Sequence, residues 1–154
     1  MKIVRFLALV ILLNVIRYLV VGPIESVTFL PHLFGEMEKH AAYFATEFTT
    51  VDWVTSYFYN FMMWMAAVWV FHLMRPVLKG SDLTASLKVF SLMWLFFASV
   101  SAVYMNHYSH PKLFYIVNVA DALLVFGLVG AANGLLYRRV MGRYAAPRFS
   151  ADAA

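Results

Sequence analysis

The sequence predicts an all-α polytopic membrane protein: a bundle of four transmembrane helices with an amphipathic helix on its outer surface. Three observations predict it. First, of 154 residues 63% are hydrophobic and only 13% charged, and mean hydropathy is +0.74. A soluble domain carries about a quarter of its residues as charges. The apolar excess must therefore face something other than water, and a lipid bilayer is the natural surround. Second, four apolar runs each reach about 20 residues, enough for a helix to cross about 30 Å of hydrocarbon. Third, the basic residues gather on one side of those runs.

The first run covers about 4–22, "VRFLALVILLNVIRYLVVG". Lys2 and Arg5 precede an apolar core, as in a signal peptide. Arg17 interrupts that core, however, and "VVGPIES" offers no small-x-small cleavage site, so the run is read as a retained span. The second covers about 52–74 and stops at Arg75-Pro76, because proline cannot continue a helix. The third covers about 87–106. The fourth covers about 113–137, just after Pro111. Together they make one domain over about 1–144, with a tail over about 145–154 that reads as disordered.

Orientation follows from the positive-inside rule. With the N-terminus inside, Lys2, Arg5, Arg75, Lys79, Lys88, Arg138, Arg139, Arg143 and Arg148 are inside, and only Lys39 and Lys112 are outside. Glu25, Glu36, Glu38, Glu47 and Asp52 lie outside, with His32, His40, His107 and His110. Both termini are then cytoplasmic. In a bacterium the membrane is the inner, or plasma, membrane. The net charge of +4 does not point to nucleic acid, because the basic residues form short clusters beside apolar runs and no continuous patch.

Between the first two spans, "PHLFGEMEKHAAY" opens a segment that predicts an interfacial helix over about 32–48. On a helical wheel His32, Glu36, Lys39, His40, Tyr43 and Glu47 fill a polar arc. Leu33, Met37, Ala41, Phe44 and Phe48 fill the apolar arc beside it. The spacing has two readings. It is the wet side of an amphipathic helix, or it is part of a metal site. His32, Glu36 and His40 stack at four-residue intervals, and His107 and His110 could complete a set for Zn²⁺ or Cu²⁺ from the other outer loop. The more specific HExxH motif is absent. Haem b is poorly served, because His72 stands near the inner end with no second histidine at its depth.

Arg17 and Asp121 are the informative residues inside the spans. Ionisable groups in hydrocarbon are costly and face the bundle interior, paired. Arg17 is expected roughly 7 Å below the outer end of its span and Asp121 roughly 13 Å below its own, a difference that an arginine side chain bridges. This predicts an Arg17–Asp121 ion pair supported by Asn14 and Asn118, with Asn60 at similar depth. As a structural clasp the pair fixes helix register. As a site, Asp121 is the acid or base, Arg17 its partner or an anion clamp, and Asn14, Asn60 and Asn118 line a pocket for a proton, ion, quinone or lipid headgroup. On the opposite face of the fourth span, Gly127, Gly130, Ala131 and Gly134 allow close approach of a neighbour, within the chain or in a partner subunit or second copy.

With no cysteine, disulfides, thiolate metal sites and cysteine nucleophiles are excluded. No P-loop, serine-centred elbow or dinucleotide fingerprint is present either. The expected role is an accessory or scaffold subunit of a membrane complex. The alternative is an enzyme or binding protein that acts on a lipophilic ligand from the outer leaflet. A complete pore through one copy is disfavoured, because the inner half of each span is nearly apolar.

Overall fold

The computed structural model describes residues 2–45, 47–108 and 111–142, and every regular element among them is helical. Helix α1 (Lys2–Ile16) passes into a π-helical turn (Arg17–Val21), then α2 (Gly22–Thr28) and α3 (Leu30–Lys39). A short 3₁₀ turn (Ala41–Tyr43) leads towards α4 (Thr50–Met74), α5 (Asp82–His107) and α6 (Lys112–Met141). Among the described residues three stretches are long and apolar enough to cross a membrane: Ile3–Thr28, Asp82–His107 and Lys112–Met141.

Local chemistry sets the helix ends. Thr49 and Asp52 form a reciprocal capping box at α4, each side chain taking up the other's backbone N–H, at 3.3 and 2.8 Å. Ser81 caps α5 by accepting from the Thr84 N–H at 3.1 Å. Gly142, at φ 81°, stops α6 in a conformation that side chains disfavour.

Three expectations change. The first span does not stop near residue 22 but continues as helix to Thr28. Pro23 is tolerated because it stands at the start of α2, directly after the π turn. The wider turn relieves the clash that a proline ring makes with the carbonyl four residues earlier. The second expected span, α4, has 25 residues but falls short of the hydropathy of the other three. Its Trp53, Tyr57, Tyr59, Trp64 and Trp69, with Asp52, Thr55, Ser56 and Asn60, dilute the aliphatic content.

The expected helix over 32–48 ends at Lys39. His40 leaves helical geometry at φ −126°, ψ 38°, and Phe44 is extended, its ring packed on Phe114 of α6 with centroids 4.6 Å apart. Anchoring that aromatic on α6 wins over continuing the helix. Glu36, expected on the wet arc, is buried beside Leu33. Residues three apart share a helix face, and this face of α3 packs on α6. The expected disordered tail, 145–154, lies outside the described residues.

The core joins α1, α4, α5 and α6. Leu9, Val10 and Leu13 of α1 are fully buried, with Trp64, Ala67, Val68 and Phe71 of α4, Phe90 of α5 and Val129 of α6. The Trp64 indole stacks on Phe90 at 6.2 Å and tilts against Phe126 at 5.2 Å. α5 and α6 meet at a seam of small residues. A Cβ on Gly134 would stand 2.5 Å from the Leu83 Cα, and one on Gly130 would stand 2.8 Å from the Phe90 Cβ. Lipid tails are as apolar as these side chains, so close packing and buried polar contacts hold such helices together.

Candidate functional site: a buried charge cluster

The π turn creates the cluster. In a regular helix, residues eight apart are rotated by about 80°, whereas residues seven apart differ by only about 20°. A π turn is in effect one inserted residue: the Gly22 N–H bonds to the Arg17 carbonyl, five residues back. Across that insertion Arg17 and Glu25 come onto one face, two turns apart. Their side chains meet head to head. Arg17 Nη2 donates to Glu25 Oε1 at 2.8 Å and Nη1 donates to Oε2, a bidentate ion pair. Glu25 is 2% exposed and the Arg17 side chain 16%.

Asp121, on α6, joins from the other side. Its carboxyl is in hydrogen-bonding contact with that of Glu25 and within the field of Arg17. It is 8% exposed, and its Oδ1 has no hydrogen-bond partner; neither has Arg17 Nε. The Arg17 guanidinium also lies 5.7 Å from the ring centre of Tyr18, which packs edge-on against Tyr57 of α4 at 5.3 Å. One cation and two carboxyls are thus buried together where the N-terminal helices meet α6.

The expected Arg17–Asp121 ion pair is therefore corrected. Glu25 takes the guanidinium and Asp121 reaches it only through Glu25. The expectation ended the first span at Gly22 and so placed Glu25 in an outer loop. The supporting amides are also differently placed. Asn14 Nδ2 donates to the Val10 carbonyl at 2.9 Å, within α1, and Asn60 Oδ1 accepts from Trp64 Nε1 at 2.6 Å, within α4. Asn118 is half-buried, one turn before Asp121.

No family model, no curated protein and no solved structure matches this chain. Its chemistry must be argued from its own residues.

Further polar contacts bind α6 to its neighbours, and the two described next are not apparent in the sequence. Between α5 and α6, buried Ser86 donates from Oγ to the Gly130 carbonyl at 2.7 Å and accepts from Asn133 Nδ2 at 2.9 Å. One turn earlier on α5, buried Asp82 is gripped by Arg75 and Arg138, and Arg75 also donates to the Leu78 and Gly80 carbonyls at 2.8 and 3.1 Å. His72 Nδ1 and the Tyr137 hydroxyl are 2.6 Å apart nearby. Asp82 follows an N-capping serine, so in the sequence it reads as ordinary first-turn acid.

The outer histidines are placed as follows. Glu36 accepts from Lys39 Nζ at 2.8 Å and lies 4.0 Å from His40 Nε2. His32 is exposed, and exposed His107 donates from Nδ1 to the Val103 carbonyl at 2.9 Å. Among the described residues no three metal-ligating side chains gather closely enough to hold an ion; His110 lies outside them.

Proposed function

We propose that this protein is an accessory or scaffold subunit of a membrane complex, in which α4 crosses the bilayer with the three apolar stretches and presents its outer half to a partner chain. One observation carries the reading. Every residue from Thr50 to Tyr59 is exposed, all round the helix, while Trp64, Ala67, Val68 and Phe71 in the following turns are buried. That exposed half carries Asp52, Thr55 and Ser56 beside Trp53, Tyr57, Phe58 and Tyr59. Hydroxyls and a carboxylate suit a protein neighbour better than hydrocarbon, and aromatic residues are the usual anchors of a protein contact.

With α4 crossing, both termini lie on the cytoplasmic side, in accord with the basic bias. Gly130 and Gly134 meet α5, so a partner contact along the small-residue face would use Gly127 and Ala131. The test is native mass spectrometry of gently solubilised protein. A stoichiometric complex is expected, dissociated by Ser56→Arg with helix content unchanged. A lone chain in both preparations would contradict the proposal.

A second reading is favoured by the unpartnered atoms at the buried cluster. Asp121 Oδ1 and Arg17 Nε lack hydrogen-bond partners, and the polar head of a lipophilic ligand such as a lipid or quinone, admitted by a local opening, would supply them. Lipid and quinone analysis of the same preparation decides it. Ligand lost in Asp121→Asn supports this reading, and ligand retained there contradicts it.

A further inference from the structure

The cluster of Arg17, Glu25 and Asp121 has a charge that does not close. Two carboxylates and one guanidinium leave one uncompensated negative charge among groups that are almost wholly buried. An uncompensated charge in a low-dielectric interior is among the most expensive arrangements a protein can hold. Two carboxyl groups in hydrogen-bonding contact present a second difficulty, since two carboxylates are both acceptors and repel. One proton removes both difficulties at once.

We propose that Glu25 and Asp121 form a proton-binding site that holds a single proton between them, with Arg17 as the fixed counter-charge. The bidentate pair keeps Glu25 ionised, because both of its oxygens already accept from the guanidinium. The proton therefore sits on Asp121, whose hydroxyl donates to Glu25. The cluster is then neutral: one cation, one carboxylate and one carboxylic acid. Paired carboxyls that share a proton are a known solution to this crowding. The inference stands on the cluster alone and is independent of the subunit reading.

The other groups that face the site do not supply the missing positive charge. The π turn adds Tyr18, and α4 adds Tyr57 against it. α3, which packs on α6, carries Glu36, and that carboxylate is already occupied by Lys39 and His40. A metal cation is a poor substitute, because the guanidinium stands where it would have to bind.

The proton links an external condition to the fold. Its loss at high pH would leave a net negative charge where the N-terminal helices meet α6, and would loosen that join. Infrared difference spectroscopy of the protein in lipid vesicles tests this directly. A protonated carboxyl gives a carbonyl stretch that moves on exchange into D₂O. The wild-type protein is expected to show one such buried band at neutral pH, lost as pH rises, and unaffected by sodium concentration at fixed pH. Asp121→Asn should abolish it. Glu25→Gln should abolish it too, since Asp121 then faces Arg17 alone and ionises. Glu38→Gln, on an exposed residue, should leave it in place. A wild-type spectrum without the band overturns the proposal and needs no variant to fold. So does a band that survives both cluster substitutions, or one displaced by sodium.

Discussion

Gly134 and Gly127 lie about two turns apart on α6 and differ in role, though both belong to the same small-residue run. A Cβ on Gly134 meets the α5 backbone at Leu83 and Asp82, which cannot swing aside, whereas a Cβ on Gly127 meets nothing within 4 Å. Gly134→Ala should therefore cost about 1–3 kcal/mol, the usual range for overpacking a close contact. Gly127→Ala should instead be neutral or stabilise by up to about 1 kcal/mol, because alanine is the better helix former and its Cβ meets nothing there. Unfolding of both variants in mixed micelles checks the pair, and equal effects would contradict the seam. The sequence made all four small residues equivalent, because GxxxG spacing reports a face but not its occupant. Arg17 carries the same lesson. Its burial and need for a partner were legible from one charge in an apolar run, but the partner depended on where the helix ended.

At the scale of elements, the π turn is what the sequence concealed. Three of the apolar runs were legible because about 20 apolar residues in a row have few alternatives in a chain this hydrophobic. Pro23 was a reasonable stop signal, since proline ends most helices it enters. What overrode it was a one-residue insertion whose hydrogen bonds have no residue signature of their own. That insertion rotates Glu25 onto the face of Arg17 and turns a presumed loop acid into a core residue. The outer segment was misread for the opposite reason. Its wheel was clean, yet tertiary contact prevailed: Phe44 docks on Phe114, and the helix ends at Lys39. A hydrophobic pattern reports which residues want cover, not which element supplies it.

At the scale of the molecule, α6 is the hub. The Arg17–Glu25–Asp121 cluster ties it to the N-terminal helices, Ser86 and Asn133 tie it to α5, and Arg138 ties it through Asp82 to Arg75. All three ties join groups far apart in sequence, which is why local residue patterns did not reveal them. Three apolar stretches among the described residues are long and apolar enough to cross a membrane, and the placement of α4 would then set the topology. Because the chain has no cysteine, single cysteines introduced at Glu38 and Lys79 report sidedness without background. If α4 crosses the bilayer, an impermeant maleimide added outside should label Glu38→Cys and not Lys79→Cys. Equal labelling of the two would place α4 on the surface.

The buried cluster, with Glu25 and not Asp121 as the direct partner of Arg17, is the central feature of the fold. A double-mutant cycle in lipid or detergent measures this, using Arg17→Met, Glu25→Gln and Asp121→Asn singly and in pairs. The Arg17–Glu25 coupling is expected at about 1 kcal/mol or more, within the range for groups in direct contact, and larger than the Arg17–Asp121 coupling. A negligible Arg17–Glu25 coupling, or a dominant Arg17–Asp121 coupling, would contradict the account.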